Sequence, residues 1–205
     1  MHFRNFKFVL VAIIVSFTIT GCNSMPERVD MRNDRVVETM GLQYRDFDEA
    51  AAKMIDSLLG GRALVHPNGG RYILAIGDIK NDTMQRIDTD QLIKKIRIAL
   101  LNSGRVVVST AVGVNGAEDK MIYMQRELRG NSEFNQTRVA KKAQLQAFDL
   151  SMSGKILQRN VTTGGGKTQA DYYFQLTITD VNTGLGIWEG EERISKRGSS
   201  RSVSW

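Results

Sequence analysis

Tyr172, Phe174, Leu176 and Ile178 alternate along the chain with Tyr173, Gln175, Thr177 and Thr179. One set is large and apolar, the other mostly polar, and the period is two. Only an extended strand with one buried face segregates side chains in this way. Asn182-Thr183-Gly184 supplies a tight turn, and Leu185 to Ile194, with Trp188, reads as the returning antiparallel strand. Phe148 to Gln158 reads as the strand before it. Such a meander has one dry face, and the rest of the chain must cover it.

The covering elements are helical. Phe47, Ala50, Ala51, Met54 and Leu58 recur at helical spacing and stop at Gly60-Gly61. Leu92, Ile93, Ile96, Ala99 and Leu100 form a second stripe, with Thr89 or Asp90 as its cap and Asn102-Ser103-Gly104 as its end. Between them Arg71 to Ile79 is mostly apolar, as a central strand is, and Val106 to Val108 form a further strand. Two more helices are expected near 117–129 and 136–146. After a leading helix the order is β-α-β-α-α-β-β-β. The fold class is therefore α+β: a single domain with a mostly antiparallel sheet of four to five strands and helices packed on it.

The run Gly164-Gly165-Gly166-Lys167-Thr168 imitates the end of a phosphate-binding loop. The full pattern requires glycine at position 161, where Val161 stands, and a helix after the loop. A period-two strand follows instead, so the glycines serve as a hairpin turn. Hydrolytic chemistry has little to work with. Beyond the first 21 residues His66 is the sole histidine, it lies in a loop, and no G-x-S-x-G elbow occurs. The acids Asp46, Asp48 and Glu49 suit a helix start, and Glu189, Glu191 and Glu192 a solvent-facing strand. Neither catalytic nor metal-binding residues are expected, nor any cofactor or small-molecule substrate.

The chain opens with Arg4 and Lys7, an apolar run from Phe8 to Phe17, and Ile19-Thr20-Gly21-Cys22. The run is short for a membrane span and has the length of a signal-peptide core. Its exit resembles the bacterial lipobox, in which the cysteine thiol accepts a diacylglycerol. Cys22 is the chain's single cysteine, so its lipidation leaves no thiol for a disulfide or a metal. Asn23 after it, rather than an acid, favours the outer membrane. The expected organisation is a lipoprotein signal peptide at 1–21, a lipidated tether at 22–45, the folded domain at 46–194 and a basic, serine-rich tail at 195–205. The 23 residues after Cys22 stretch to roughly 75–80 Å at most, and as a flexible coil average about 25 Å.

The chain's formal charge is +6, from 28 basic and 22 acidic residues. Two of the basic residues lie in the signal peptide and four, Arg193, Lys196, Arg197 and Arg201, at the C-terminal end. Residues 22–192 hold 22 of each sign and balance, which excludes a broad basic groove for nucleic acid. One local excess remains: Arg126, Arg129, Arg138, Lys141 and Lys142 stand against Glu127 and Glu133. These five cations are the candidate partner-binding residues. The polar face of the strand at 172–179 is an alternative docking surface.

Taken in order, the lipobox, DFDEAAAKMIDSLLG, YILAIGDIKNDTMQRIDTDQLIKKIRIALLNSGRVVV and TDVNTGLGIWEGE resemble the LpoB family over residues 46 to 194. Its members are outer-membrane lipoproteins that activate class A penicillin-binding proteins. The resemblance implies a non-enzymatic role: a domain facing the periplasm, anchored in the outer membrane by its lipid, that docks on an inner-membrane synthase and stimulates peptidoglycan synthesis. The long Pro-rich tether of the enteric relatives is missing here, where Pro26 is the one proline between Cys22 and the domain. The alternative role is a lipoprotein subunit of an envelope secretion or flagellar assembly, since related α+β domains occur in curli-secretion proteins.

Overall fold

The computed structural model describes residues 38–199. Cys22, the signal peptide and Trp205 lie outside the described residues. The described elements are α1 (Tyr44–Gly60), β1 (Tyr72–Asp82), α2 (Thr89–Asn102), β2 (Val106–Val108), α3 (Met121–Glu127), β3 (Leu150–Thr163), β4 (Lys167–Asp180) and β5 (Leu185–Ser199). The five strands form one sheet in the order β2-β1-β3-β4-β5. β3 and β4 pair antiparallel from Leu150–Asp180 to Thr163–Lys167, and β4 and β5 from Asp180–Leu185 to Lys167–Ser199. β1 runs parallel to both β2 and β3. The fold is α+β, as expected. Its sheet is mixed, with the antiparallel pairings supplying most of its length.

The alternation in β4 is realised in full. Ala170, Tyr172, Phe174, Leu176 and Ile178 are buried, together with Leu150, Met152 and Ile156 of β3 and Leu74, Ile76 and Ile79 of β1. The two long helices complete this core. α1 buries Ala50, Ala51, Met54, Ile55 and Leu58, and α2 buries Leu92, Ile96 and Leu100. Phe47 meets Phe174 edge-on, with ring centroids 5.6 Å apart. Each large side chain enclosed in this way contributes about 1.5–3 kcal/mol. Asp88 caps α2, accepting from the Asp90 amide at 3.0 Å, so the cap stands one residue earlier than expected.

Two boundaries move. The core begins before residue 46: Met40 is buried and α1 starts at Tyr44. It also runs past 194, because β5 continues to Ser199 and Lys196 is buried. The extra strand residues pair with the start of β4, from Asp171–Ser195 to Lys167–Ser199, which the long β3–β4 hairpin makes available. Residues 164–166 turn that hairpin, with Gly165 and Gly166 at positive φ (75° and 68°). Lys167 then opens a strand, so no helix N-terminus stands behind the glycines.

The two helices expected near 117–129 and 136–146 are corrected. A single seven-residue helix, Met121–Glu127, is present, and residues 136–146 form turns and bends. Val139 and Leu145 are the large apolar residues of the second stretch, six positions apart. A helix there has no stripe to bury, and short helices need one.

Candidate functional site

Parallel strands demand a crossover, which is ordinarily a helix. The crossover from β2 to β3 is instead a largely irregular excursion. Its ends are fixed at adjacent positions of β1. The Ser109 amide donates to the Leu74 carbonyl at 2.9 Å, and the Asp149 amide to that of Ile73 at 2.8 Å. The Asp149 carboxylate also accepts from the Ile73 amide at 2.9 Å. Irregular connections of this length inside a compact domain usually carry function.

Side chains, in addition to the short helix α3 and a series of backbone turns, hold the excursion. Tyr123 donates its hydroxyl to the Ala111 carbonyl at 2.9 Å. Gln125 donates to the Arg138 carbonyl at 3.1 Å and accepts from the Ala140 amide. Gln136 reaches three carbonyls, those of Leu128, Asn131 and Phe134, and accepts from the Gly130 amide. Arg129 donates Nε to the Ala140 carbonyl at 2.7 Å and Nη2 to that of Lys141 at 3.0 Å. Backbone groups that a helix would satisfy internally are thereby paired from outside.

Of the five cations expected to bind a partner, the fold brings three together. Arg126, Arg129 and Lys142, with Ala143, Gln144 and Leu145, line a hollow of about 330 Å³. Arg138 and Lys141 are exposed elsewhere on the same excursion. Arg129 is half-buried and structural as well as cationic, a dual role that spacing along the chain does not reveal. Ala143 and Leu145 are additions to the site. At Ala143 φ is 59°, the only positive value at a non-glycine among the described residues.

The alternative surface, the outer face of β4 and β5, is internally paired. Gln175 donates to Glu191 at 2.6 Å, Ser195 donates to Asp171 at 2.5 Å, and Arg197 donates to Gln169. Across the domain, basic residues that meet carboxylates do so in pairs: Lys53 with Glu49 and Glu192, Lys95 with Asp48, Arg97 with Glu118, Lys155 with Asp82, and Lys196 with Asp46. His66 packs its ring on Tyr72 at 4.6 Å and accepts from the Asn68 amide through Nδ1. Among the described residues no three His, Cys, Asp or Glu side chains converge to hold a metal.

Fold and site together define a small α+β domain with one long, largely irregular crossover that carries a cluster of cations. The chain belongs to the LpoB family of peptidoglycan-synthase activators, whose model matches residues 46–194. It is similar to the solved C-terminal domain of LpoB from Escherichia coli, at 15% identity over 74% of this chain and 99% of that one, with a TM-score of 0.42. The corresponding Salmonella enterica domain is 16% identical over 73% and 98% of the two chains, with a TM-score of 0.40. A dodecameric PelC from Paraburkholderia phytofirmans is 19% identical over 65% and 77%, with a TM-score of 0.32. A search of curated proteins by sequence finds no match.

Proposed function

We propose that the protein is an outer-membrane lipoprotein, anchored through a lipidated Cys22, that binds a class A penicillin-binding protein and raises its peptidoglycan-synthesising activity. Membership of the activator family over residues 46–194 carries this reading. The lipobox ending at Cys22 supports the anchor, and no helix among the described residues is long and apolar enough to cross a membrane. The role is regulatory rather than catalytic. Activation is then a shift of population: the domain binds the synthase's active conformer more tightly than its resting one, and the difference in affinity sets the stimulation.

The fold tightens the geometric requirement. Because Met40 is part of the core, the free tether ends there and not at residue 45. The span from Cys22 to Met40 reaches no more than roughly 65 Å when fully stretched. The synthase's docking domain must therefore rise to within that distance, plus the width of the folded domain itself, of the outer membrane. The test is glycan polymerisation and peptide cross-linking by a purified cognate class A synthase, with and without the mature protein. Stimulation is expected, and its absence together with absence of binding refutes the reading.

A further inference from the structure

The described residues 38–199 hold 22 basic and 19 acidic side chains, an excess of three. Residues 120–148 alone hold six basic side chains, Lys120, Arg126, Arg129, Arg138, Lys141 and Lys142, against Glu127 and Glu133. The cationic excess is thus local to this stretch, since Glu118, Asp119 and Asp149 at the two ends of the excursion bring the span 109–149 to six basic against five acidic residues. None of those six makes an ion pair with a carboxylate among the described residues, whereas basic residues of α1, α2, β3 and β5 do. Unpaired cations fixed on a stiff frame are complementary to an anionic partner.

The frame is stiff by construction. Arg129 grips the 140 and 141 carbonyls, so the backbone carrying Lys142 is fixed relative to Arg126. Ala143 holds a left-handed conformation at the rim, a cost that persists only where the surroundings impose it. The hollow between them, about 330 Å³, has the volume of one or two side chains and an apolar wall at Leu145.

We propose that this hollow is the domain's docking point for a protein partner, and that it receives a carboxylate side chain flanked by an apolar one from an acidic loop or helix. The proposal rests on the activator reading and names the face and chemistry by which the synthase is engaged. Leu145 beside the cations gives this open hollow an apolar wall, which matches a protein surface that offers a carboxylate next to an apolar side chain and does not match a headgroup layer or glycan of polar anions alone.

The experiment compares the full mature chain, its Arg126→Glu/Lys142→Glu variant and a Glu191→Lys variant on the outer sheet face. Binding to the cognate synthase is measured at two ionic strengths, and thermal unfolding verifies that each variant folds. Arg129 is left intact because it holds the backbone. The double variant is expected to bind at least about tenfold more weakly and to lose most of the salt dependence shown by the unaltered protein. Glu191→Lys is expected to bind within about twofold of it. Equal binding by the double variant overturns the proposal while leaving the activator reading in place. So does a double variant that keeps synthase binding but loses binding to anionic vesicles or to peptidoglycan sacculi. Failure of the unaltered protein to bind any class A synthase removes both. Should the double variant fail to fold, Lys142→Glu alone, at an exposed side chain, decides the matter by the same measurements.

Discussion

Tyr172 lies at the centre of β4, fully enclosed, and donates its hydroxyl to the Met40 carbonyl at 2.9 Å. Burial, reinforced by the negative Asp46, pushes its phenol up from 10.0 to about 12. The folded state thus holds the proton that the unfolded chain releases near pH 10. The stability this contributes is complete below pH 10 and is lost as pH rises from about 10 to about 12. An alkaline titration of unfolding is expected to show that loss, and Tyr172→Phe to abolish Tyr172's share of it. At neutral pH the same substitution strands a buried carbonyl and costs about 1–3 kcal/mol by urea denaturation. Gly154 is constrained differently. A Cβ there would lie 2.6 Å from Leu176 Cδ2 and 2.7 Å from the Gln175 carbonyl oxygen. Gly154→Ala must push β3 and β4 apart, and is expected to cost about 1–3 kcal/mol or more in the same assay.

Among the elements, the excursion from Ser109 to Asp149 differs most from the pattern that spacing predicts. Its coherence depends on single side chains, Gln136 above all, and not on a buried stripe. Gln136→Ala removes the group that serves four backbone positions. It is expected to speed amide exchange across residues 128–141 by at least about tenfold while lowering global stability by less than about 1 kcal/mol. Exchange that stays unchanged would show that the excursion holds without this clamp. The helices, strands and glycine turns elsewhere were legible because each follows from local period and punctuation. The excursion was not, since a glutamine that pairs with carbonyls two to eight residues away leaves no periodic trace. Arg126, Arg129 and Lys142 were recognisable as cations, but their convergence depends on a backbone path the sequence does not announce.

At the scale of the whole molecule, the two ends of the domain are joined. Lys196, near the end of β5, pairs with Asp46 at 2.6 Å and donates to the Gly41 carbonyl at 3.0 Å, with both side chains largely buried. Asp46 also accepts from the Gln43 amide at 2.6 Å, and Gln85 accepts from the Leu42 amide at 3.0 Å. A Cβ at Gly41 would meet the Gln85 amide, so a larger residue there must displace that side chain from the Leu42 amide. Two strands, β4 and β5, and the loop between β1 and α2 therefore grip residues 40–42, and any load on an N-terminal anchor enters the core at that point. A domain trimmed to 46–194 loses Met40, Lys196 and the last residues of β5. It is expected to be less stable than the 38–199 form by at least about 3 kcal/mol, measured by chemical denaturation. Equal stability of the two would show that the clasp contributes nothing.

The sequence alone determined which faces of α1, α2 and β4 are dry, where the tight turn at 182–184 falls, and that the Gly164–Gly166 run turns a hairpin. These are consequences of side-chain period and of glycine's freedom, both local properties. Only the tertiary structure decided that β1 lies parallel between β2 and β3, that Asp46 and Lys196 meet, and that three cations gather around Leu145. Those outcomes depend on contacts between residues far apart in the chain. Their partners are chosen by the packing of the whole sheet, which no window of sequence contains.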